Sequence, residues 1–149
     1  MTHTMTSLLL RLLRSMVLLA AAFSASTMVF AEDVVVIINK DNQNPVDMSL
    51  VQRLYVGALK GWPDGTPAKV LDQPEGSDAR EVFCATILKK SLPNVKAIWS
   101  QNIFTGKGLP PKVSSPDLAV KEFVAANKDA IGYIRASQLD DTVKVVPAK

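Results

Sequence analysis

The sequence has 149 residues, with 17 Lys and Arg against 14 Asp and Glu, one histidine (His3) and one cysteine (Cys84). One cysteine forms no internal disulfide, and a single histidine argues against zinc sites, Ser-His-Asp triads and Cys-His pairs. Positive side chains are interleaved with acids rather than grouped in a basic stripe, which argues against nucleic-acid binding. The composition therefore favours a binding protein over an enzyme and implies no metal or cofactor.

The first 31 residues have the pattern of a cleaved secretory signal peptide. Arg11 and Arg14 form a positive region, an apolar run of about 15 residues follows, and Val29-Phe30-Ala31 suits the −3 to −1 positions of a cleavage site. This run is shorter than the ~20 residues that a membrane-spanning helix needs. We expect cleavage after Ala31, export to the periplasm, and a mature chain of residues 32–149 that forms one domain without a membrane span.

The mature chain opens with a β-branched run at residues 34–38, which predicts a strand buried on both faces, as in a parallel sheet covered by helices. Asn39 follows this strand, at a position where α/β sheets commonly bind ligands. Ser49 with Gln52 three residues later is typical of a capping box and predicts a helix start. Gly57 fits the end of that helix.

Capping residues and apolar runs predict three more helices and three more strands. Ser77 and Ser91 each precede an apolar periodic segment, and Ser115-Pro116-Asp117 combines a cap, a proline and a first-turn acid. Asn127 is expected to end the last helix in the left-handed region. Strands that alternate with helices predict an α/β sandwich. The other expected elements are a turn at 62–66, a loop at 104–111, and short strands at 69–71, 131–134 and 143–146.

The stretch DQPEGSDAREVF, residues 72–83, is the strongest candidate for a binding site. A helix start exposes unpaired backbone N–H groups and a partial positive charge of about half a unit, which together bind anions. Gly76 allows a close approach to the backbone, and Ser77 can cap the helix or donate its hydroxyl to an anion. Arg80 offers a planar pair of donors that suits phosphate or carboxylate.

A second interpretation of this stretch stays open, because serine is among the commonest N-cap residues and stabilises a helix by about 1 kcal/mol without any ligand. Asp78 already offsets the helix dipole and would repel an anion, whereas Arg80 is mildly unfavourable near a helix start, a local conflict that indicates function. Asn39 is a weaker candidate, and so is Thr105, which opens the loop Thr105-Gly106-Lys107-Gly108. That loop lacks the GxxxxGK[ST] spacing of phosphate loops.

Taken in order, these segments resemble the phosphate-binding proteins of ABC transporters, the PstS-like branch of the type 2 periplasmic-binding fold. They resemble more closely a small single-lobe family called phosphate ABC transporter substrate-binding protein-like. The similarity covers nearly all of the mature chain. The matching text is residues 49–57 followed by Gly61-Trp62-Pro63-Asp64-Gly65, the pattern D-x-x-x-G-S-x-x-R-x-x-F at 72–83, the segment 103–111, and Ala130-Ile131-Gly132-Tyr133-Ile134.

In the full-length proteins of the resembled family, a Gly-Ser-Gly-Thr turn at a helix N-terminus grips the phosphate. Gly76-Ser77 match its first half, while Asp78-Ala79 replace the second, which removes a hydroxyl and adds a negative charge for which Arg80 could compensate. The full-length proteins also clamp the ligand between two lobes, and the 118 residues from 32 to 149 can supply only one.

The resemblance implies a periplasmic α/β domain, namely a single lobe with a mixed central sheet flanked by helices. It also implies that this domain binds phosphate or a similar small oxyanion and does not catalyse a reaction. The expected ligand residues are Gly76, Ser77, Asp78 and Arg80. The expected partners are the anion and an ABC transporter permease or another envelope protein. The alternative is a lobe that binds no ligand and serves as an interaction or accessory module of an envelope protein complex.

Overall fold

A mixed sheet forms the centre of the computed structural model, which describes residues 32–148; the predicted signal peptide, residues 1–31, lies outside this range. The five strands are β1 (Val34–Asn39), β2 (Lys69–Asp72), β3 (Lys112–Val113), β4 (Ala130–Arg135) and β5 (Val143–Val145). They lie across the sheet in the order β3-β2-β4-β1-β5. The four strands predicted from the sequence, β1, β2, β4 and β5, are confirmed to within a residue or two. The two-residue strand β3 was not predicted, and it directly follows the expected loop at 104–111.

The first strand differs from its prediction in direction. β1 runs antiparallel to both of its neighbours, β4 and β5, whereas β2 runs parallel to β3 and β4. Its burial on both faces is confirmed, because Val36 and Ile38 pack into one core cluster and Ile37 packs into the other. A strand covered by helices on both faces is equally apolar in either direction, so the β-branched run could not distinguish the two.

Four helices cover the sheet: α1 (Met48–Tyr55), α2 (Asp78–Phe83, which continues into a π-helical turn at Cys84–Leu88), α3 (Leu92–Phe104) and α4 (Asp117–Ala126). Side chains of α1, α2 and α3 belong to the core cluster on one face, and side chains of α4 belong to the cluster on the other. None of the helices within residues 32–148 has the length and apolar character needed to cross a membrane.

Two of the predicted helix starts are confirmed, and two are displaced. Ser77 and Ser91 are the N-caps of α2 and α3. The N-cap of α1 is Asp47 rather than Ser49, because the Asp47 carboxylate already accepts the free N–H of Leu50 at 2.7 Å. The N-cap of α4 is Pro116, the residue after the predicted Ser115, and it makes no side-chain cap.

The predicted ends of α1 and α4 also differ in outcome. Gly57 follows α1 with a φ of +74°, as expected of a glycine at this position. Asn127 follows α4 in extended rather than left-handed backbone, with a φ of −127°. Its side-chain amide donates to the carbonyl of Phe123 at 2.8 Å. This hydrogen bond gives a donor to one of the carbonyls in the last turn of α4.

Gly132 brings α4 close to the sheet. A Cβ at this position would lie 2.6 Å from Val120 Cγ1 and 3.4 Å from Val124 Cγ2. Because packed neighbours tolerate added volume poorly, we expect Gly132→Ala to lower the free energy of unfolding by about 1–3 kcal/mol in urea titrations. A Val120→Ala substitution should make room for the new methyl group, so Gly132→Ala should cost less in that background. An unchanged stability of the Gly132→Ala variant would contradict the close packing.

Candidate functional site

The carboxyl-terminal ends of β2 and β4 lie at the same edge of the sheet, because these strands are parallel neighbours. Ligands commonly bind at such an edge in α/β proteins. A cavity of about 360 Å³, here called the edge cavity, opens at this place between the starts of α2 and α4. The residues that line it are Gln73, Pro74, Glu75, Gly76, Ser77, Asp78, Ser115, Pro116, Asp117 and Arg135.

The start of α2 forms one wall of the edge cavity. Gly76 has a φ of +84°, and apart from its two chain neighbours no residue has a heavy atom within 4 Å of where its Cβ would be, so the backbone here is open to an incoming group. The Ser77 hydroxyl donates to Gln73 Oε1 at 2.8 Å and accepts weakly from the Arg80 N–H at 3.4 Å. Ser77 is therefore an N-cap in the structure, and Gln73 fixes the direction of its hydroxyl.

Asp117 and Arg135 form the opposite wall. Asp117, the first residue of α4, is only 5% exposed. Its Oδ1 accepts from the Gln73 side-chain amide at 2.7 Å, and its Oδ2 accepts from the Arg135 backbone N–H at 3.1 Å. Arg135 Nη1 lies 3.4 Å from the same Oδ2, and the Arg135 side chain is 40% exposed. The carboxylate thus holds a partly open guanidinium group at the rim of the cavity.

The sequence predicted that Arg80 is a ligand residue, but in the structure its side chain does not line the edge cavity. Its Nη2 lies 3.1 Å from Asp72 Oδ2, and both side chains are only 11% exposed. Asp72 Oδ1 also accepts from the Tyr133 hydroxyl and, at 2.8 Å, from the Gln73 N–H. The physical reason is that a buried carboxylate needs a cation, and Arg80 is the cation within reach.

Neutral tyrosines complete this buried network. Burial and the charge of Asp72 raise the pKa of Tyr133 and that of Tyr55 well above the usual range. The Tyr133 ring stacks on Phe83 with 3.9 Å between ring centroids, and the Tyr55 hydroxyl donates to the Leu71 carbonyl at 2.8 Å. Both hydroxyls therefore stay protonated, so that Tyr133 can act as a hydrogen-bond donor to Asp72.

Cys84 is buried in the core, next to Phe83. Burial raises the pKa of its thiol to about 11. The thiolate is the reactive form of cysteine, so the side chain is unsuited to nucleophilic chemistry at neutral pH. Among residues 32–148, His, Cys, Asp and Glu side chains nowhere gather in the groups of three or more that would hold a metal ion.

The two weaker candidates lie away from the edge cavity. Asn39 ends β1, and because β1 is antiparallel to β2 and β4, it lies at the opposite end of the sheet. Its side chain is buried and donates to the Val124 and Ala125 carbonyls at 2.9 and 2.8 Å, which caps the end of α4. Thr105 is exposed at the end of α3, where its hydroxyl donates to the Gln101 carbonyl at 2.7 Å.

Sequence reasoning missed the three polar residues of the edge cavity that lie outside the stretch 72–83, namely Ser115, Asp117 and Arg135. Arg135 directly follows the apolar run 130–134, and a polar residue at the end of a strand is a candidate ligand residue. This position points to the edge cavity only if β4 is known to run parallel to β2, and no local sequence pattern reveals the direction of a strand. Asp117 was assigned only as a first-turn acid of α4, and its hydrogen bond with Gln73 joins residues that lie 44 positions apart in the chain.

Charges of both signs surround the edge cavity. Glu75 pairs with Lys96 at 3.0 Å, and the hydrogen bond and charge of Lys96 lower the pKa of Glu75. Asp78 is exposed in the first turn of α2, and Asp117 forms an ion pair with Arg135. The cavity therefore offers donors, namely the guanidinium group and the start of a helix, beside carboxylates that can only accept hydrogen bonds.

No family model matches the sequence, and no curated protein matches it. Solved structures with the same fold include a protein assigned to phosphate ABC transporter substrate binding, with bound phosphate, from Clostridium perfringens, at 22% identity and a TM-score of 0.62. An ABC-type phosphate transport receptor from Vibrio cholerae is 17% identical with a TM-score of 0.59. A protein assigned to phosphate binding from Planctomyces limnophilus is 16% identical with a TM-score of 0.54.

These similarities cover most of this chain and less than half of each solved protein. They span 78% of this chain and 45% of the Clostridium protein, 78% and 46% for the Vibrio receptor, and 79% and 42% for the Planctomyces protein. This coverage is what a single lobe would give, as the sequence predicted. Residues 32–148 thus have the fold of one lobe of the phosphate ABC transporter substrate-binding proteins, a mixed five-stranded sheet between helices.

Proposed function

We propose that this protein binds a small protonated oxyanion, such as hydrogen phosphate, in the edge cavity and catalyses no reaction. The observation that most supports this proposal is that the start of α2 and the partly exposed guanidinium group of Arg135 line the same cavity. Backbone N–H groups near Gly76 and Asp78 would donate to one side of the anion. Arg135 would donate to the other side through a planar pair of N–H groups.

In this proposal Arg80 supports the site without touching the anion. It neutralises Asp72, whose carboxylate holds the Gln73 N–H at 2.8 Å, and Gln73 in turn accepts from Ser77 at 2.8 Å. The chain of contacts fixes the loop that carries Gly76. The direct cationic contact expected from Arg80 on sequence grounds is assigned instead to Arg135.

The carboxylates of the edge cavity determine which anion is favoured. Asp78 and Asp117 repel a fully ionised oxyanion but can accept a hydrogen bond from an anion that still carries a proton. Hydrogen phosphate carries such a proton at neutral pH, whereas sulfate does not. The cavity should therefore prefer phosphate to sulfate even though the two anions have nearly the same size and shape.

The cellular setting belongs to the same proposal. The N-terminal pattern supports export to the periplasm, and the structural neighbours include two whose names place them in ABC-type phosphate transport. We therefore propose a periplasmic solute-binding role in which an ABC transporter permease or another envelope protein is the partner.

Thermal melts of the purified protein test the choice of anion. A ligand that binds only the folded state stabilises it by about 2.7 kcal/mol at a hundredfold excess over Kd. We expect millimolar phosphate to raise the midpoint by several degrees, and sulfate or succinate at equal ionic strength to leave it unchanged. Equal shifts with phosphate and sulfate would contradict the role of the carboxylates. No shift with any of the three anions would contradict oxyanion binding.

The second candidate is an interaction module without a ligand. The observation that favours it is the acidic content of the edge cavity, since Asp78 and Asp117 oppose any anion that cannot donate a hydrogen bond. The melts distinguish the two functions, because a module of this kind shows no response to phosphate. It would instead be recovered from an envelope extract with a stoichiometric partner, whether or not phosphate is present.

A further inference from the structure

A second cavity, of about 350 Å³, lies on the face of the sheet covered by α1 and α3, and it shares no residue with the edge cavity. It is bounded by the segment after α1, strand β2, helix α3 and the loop that leads into β3. We call it the loop cavity. Its lining residues are Leu54, Gly57, Leu59, Lys60, Ala68, Val70, Trp99, Lys107, Gly108, Leu109, Pro110, Pro111 and Lys112.

The wall of the loop cavity that belongs to the fold is apolar and fixed. The Trp99 indole donates to the Tyr55 carbonyl at 3.1 Å, which sets the orientation of the ring. A Cβ on Gly57 would come within 2.7 Å of the Trp99 ring, so the ring packs directly against the backbone after α1. On the solvent side, Leu109 is 79% exposed. An apolar ligand body would cover both surfaces.

The charges around the loop cavity all have one sign. Lys60, Lys107 and Lys112 line it, and no aspartate or glutamate does. Within the described part of the chain, neither Lys60 nor Lys107 forms an ion pair with a carboxylate. The ammonium group of Lys112 lies 5.3 Å from the centre of the Phe123 ring of α4, on the other face of the sheet, so it is not counted among the charges of the cavity. This contrasts with the edge cavity, where carboxylates accompany the arginine. A cavity with two cations and no acid attracts an anion.

We propose that the loop cavity binds a small amphipathic carboxylate, with its apolar body against Trp99 and Leu109 and its charge beside Lys60 and Lys107. The volume is near the lower end of the range for ligand pockets, roughly 300–1,000 Å³, which limits the ligand to a small molecule. An inorganic oxyanion would leave the apolar wall uncovered, and a neutral apolar molecule would leave the lysines without a counter-charge. A carboxylate with an apolar body would cover the apolar wall and also give the lysines a counter-charge.

The test uses 2-naphthoate as the probe and 2-naphthalenemethanol as its uncharged counterpart, in amide NMR titrations of the purified protein. We expect 2-naphthoate to bind saturably and to shift the amides of Leu59, Gly108 and Lys112. The alcohol should bind at least tenfold more weakly in low salt. Because the lysines are exposed, raising the salt concentration to about 0.5 M should weaken the binding of 2-naphthoate and leave that of the alcohol unchanged.

Two double variants give the matched comparison. Lys60→Gln and Lys107→Gln together should lower the affinity for 2-naphthoate at least tenfold. Lys40→Gln and Lys90→Gln remove the same charge outside the loop cavity and should retain binding. Equal affinity for the acid and the alcohol, equal loss in both double variants, shifts that map to other residues, or no saturable binding at millimolar probe would each overturn the proposal.

Discussion

Replacing Arg80 by methionine is expected to lower the free energy of unfolding by about 3–5 kcal/mol, the usual cost of leaving one member of a buried ion pair without its partner. Asp72 would be left at 11% exposure with no cation in contact. Methionine retains most of the apolar stem of arginine, so the loss reports on charge more than on packing. Urea unfolding monitored by tryptophan fluorescence measures the difference.

Two further variants make this result interpretable. The double variant Asp72→Asn, Arg80→Met keeps an acceptor for the Tyr133 hydroxyl and removes both charges, so it should be more stable than Arg80→Met alone. Lys96→Met breaks the exposed pair with Glu75 and should cost less than about 1 kcal/mol. An Arg80→Met variant as stable as Lys96→Met would show that Arg80 has no such structural role.

Replacing Arg135 by glutamine is expected to weaken phosphate binding about 10- to 100-fold, the usual range for losing a hydrogen bond to a charged group. The fold should survive, because the Gln73 side chain and the Arg135 backbone N–H, which this substitution retains, still donate to Asp117. Calorimetric titration with phosphate measures the loss, and the unfolding midpoint confirms the integrity of the variant.

Arg53→Gln is the matched control for this substitution. It removes the same group from an exposed position on α1 that does not line the edge cavity. Affinity for phosphate should be unchanged in this variant. If both variants lost affinity equally, the effect would come from the net charge of the protein. If neither lost affinity, Arg135 would not be a ligand residue.

The sequence revealed the elements of the fold more fully than their arrangement. Apolar runs and serine caps located most strands and helices, since burial and capping are local requirements. The direction of β1 was not predictable from its run of β-branched residues. The cap of α1 was misassigned because Asp47 and Ser49 are both good cap residues, and only the backbone geometry decides between them.

The candidate site was predictable only on one side. The start of α2 was identified from Gly76 and Ser77, whose local geometry determines where they lie. The opposite wall depends on contacts across the chain, because Arg135 and Asp117 meet the start of α2 only once β2 and β4 are paired in parallel. Arg80 was assigned to the ligand because its buried partner, Asp72, lies eight residues earlier and could not be placed from the sequence.

The most direct test of the central claim is an amide NMR titration of the purified protein with phosphate, followed by the same titration with sulfate. We expect saturable shifts that are largest at Gly76, Ser77, Asp78 and Arg135, and no comparable response to sulfate. Such a result would place a protonated oxyanion in the edge cavity. Shifts that do not saturate, or that centre on residues outside this cavity, would contradict the proposed binding site.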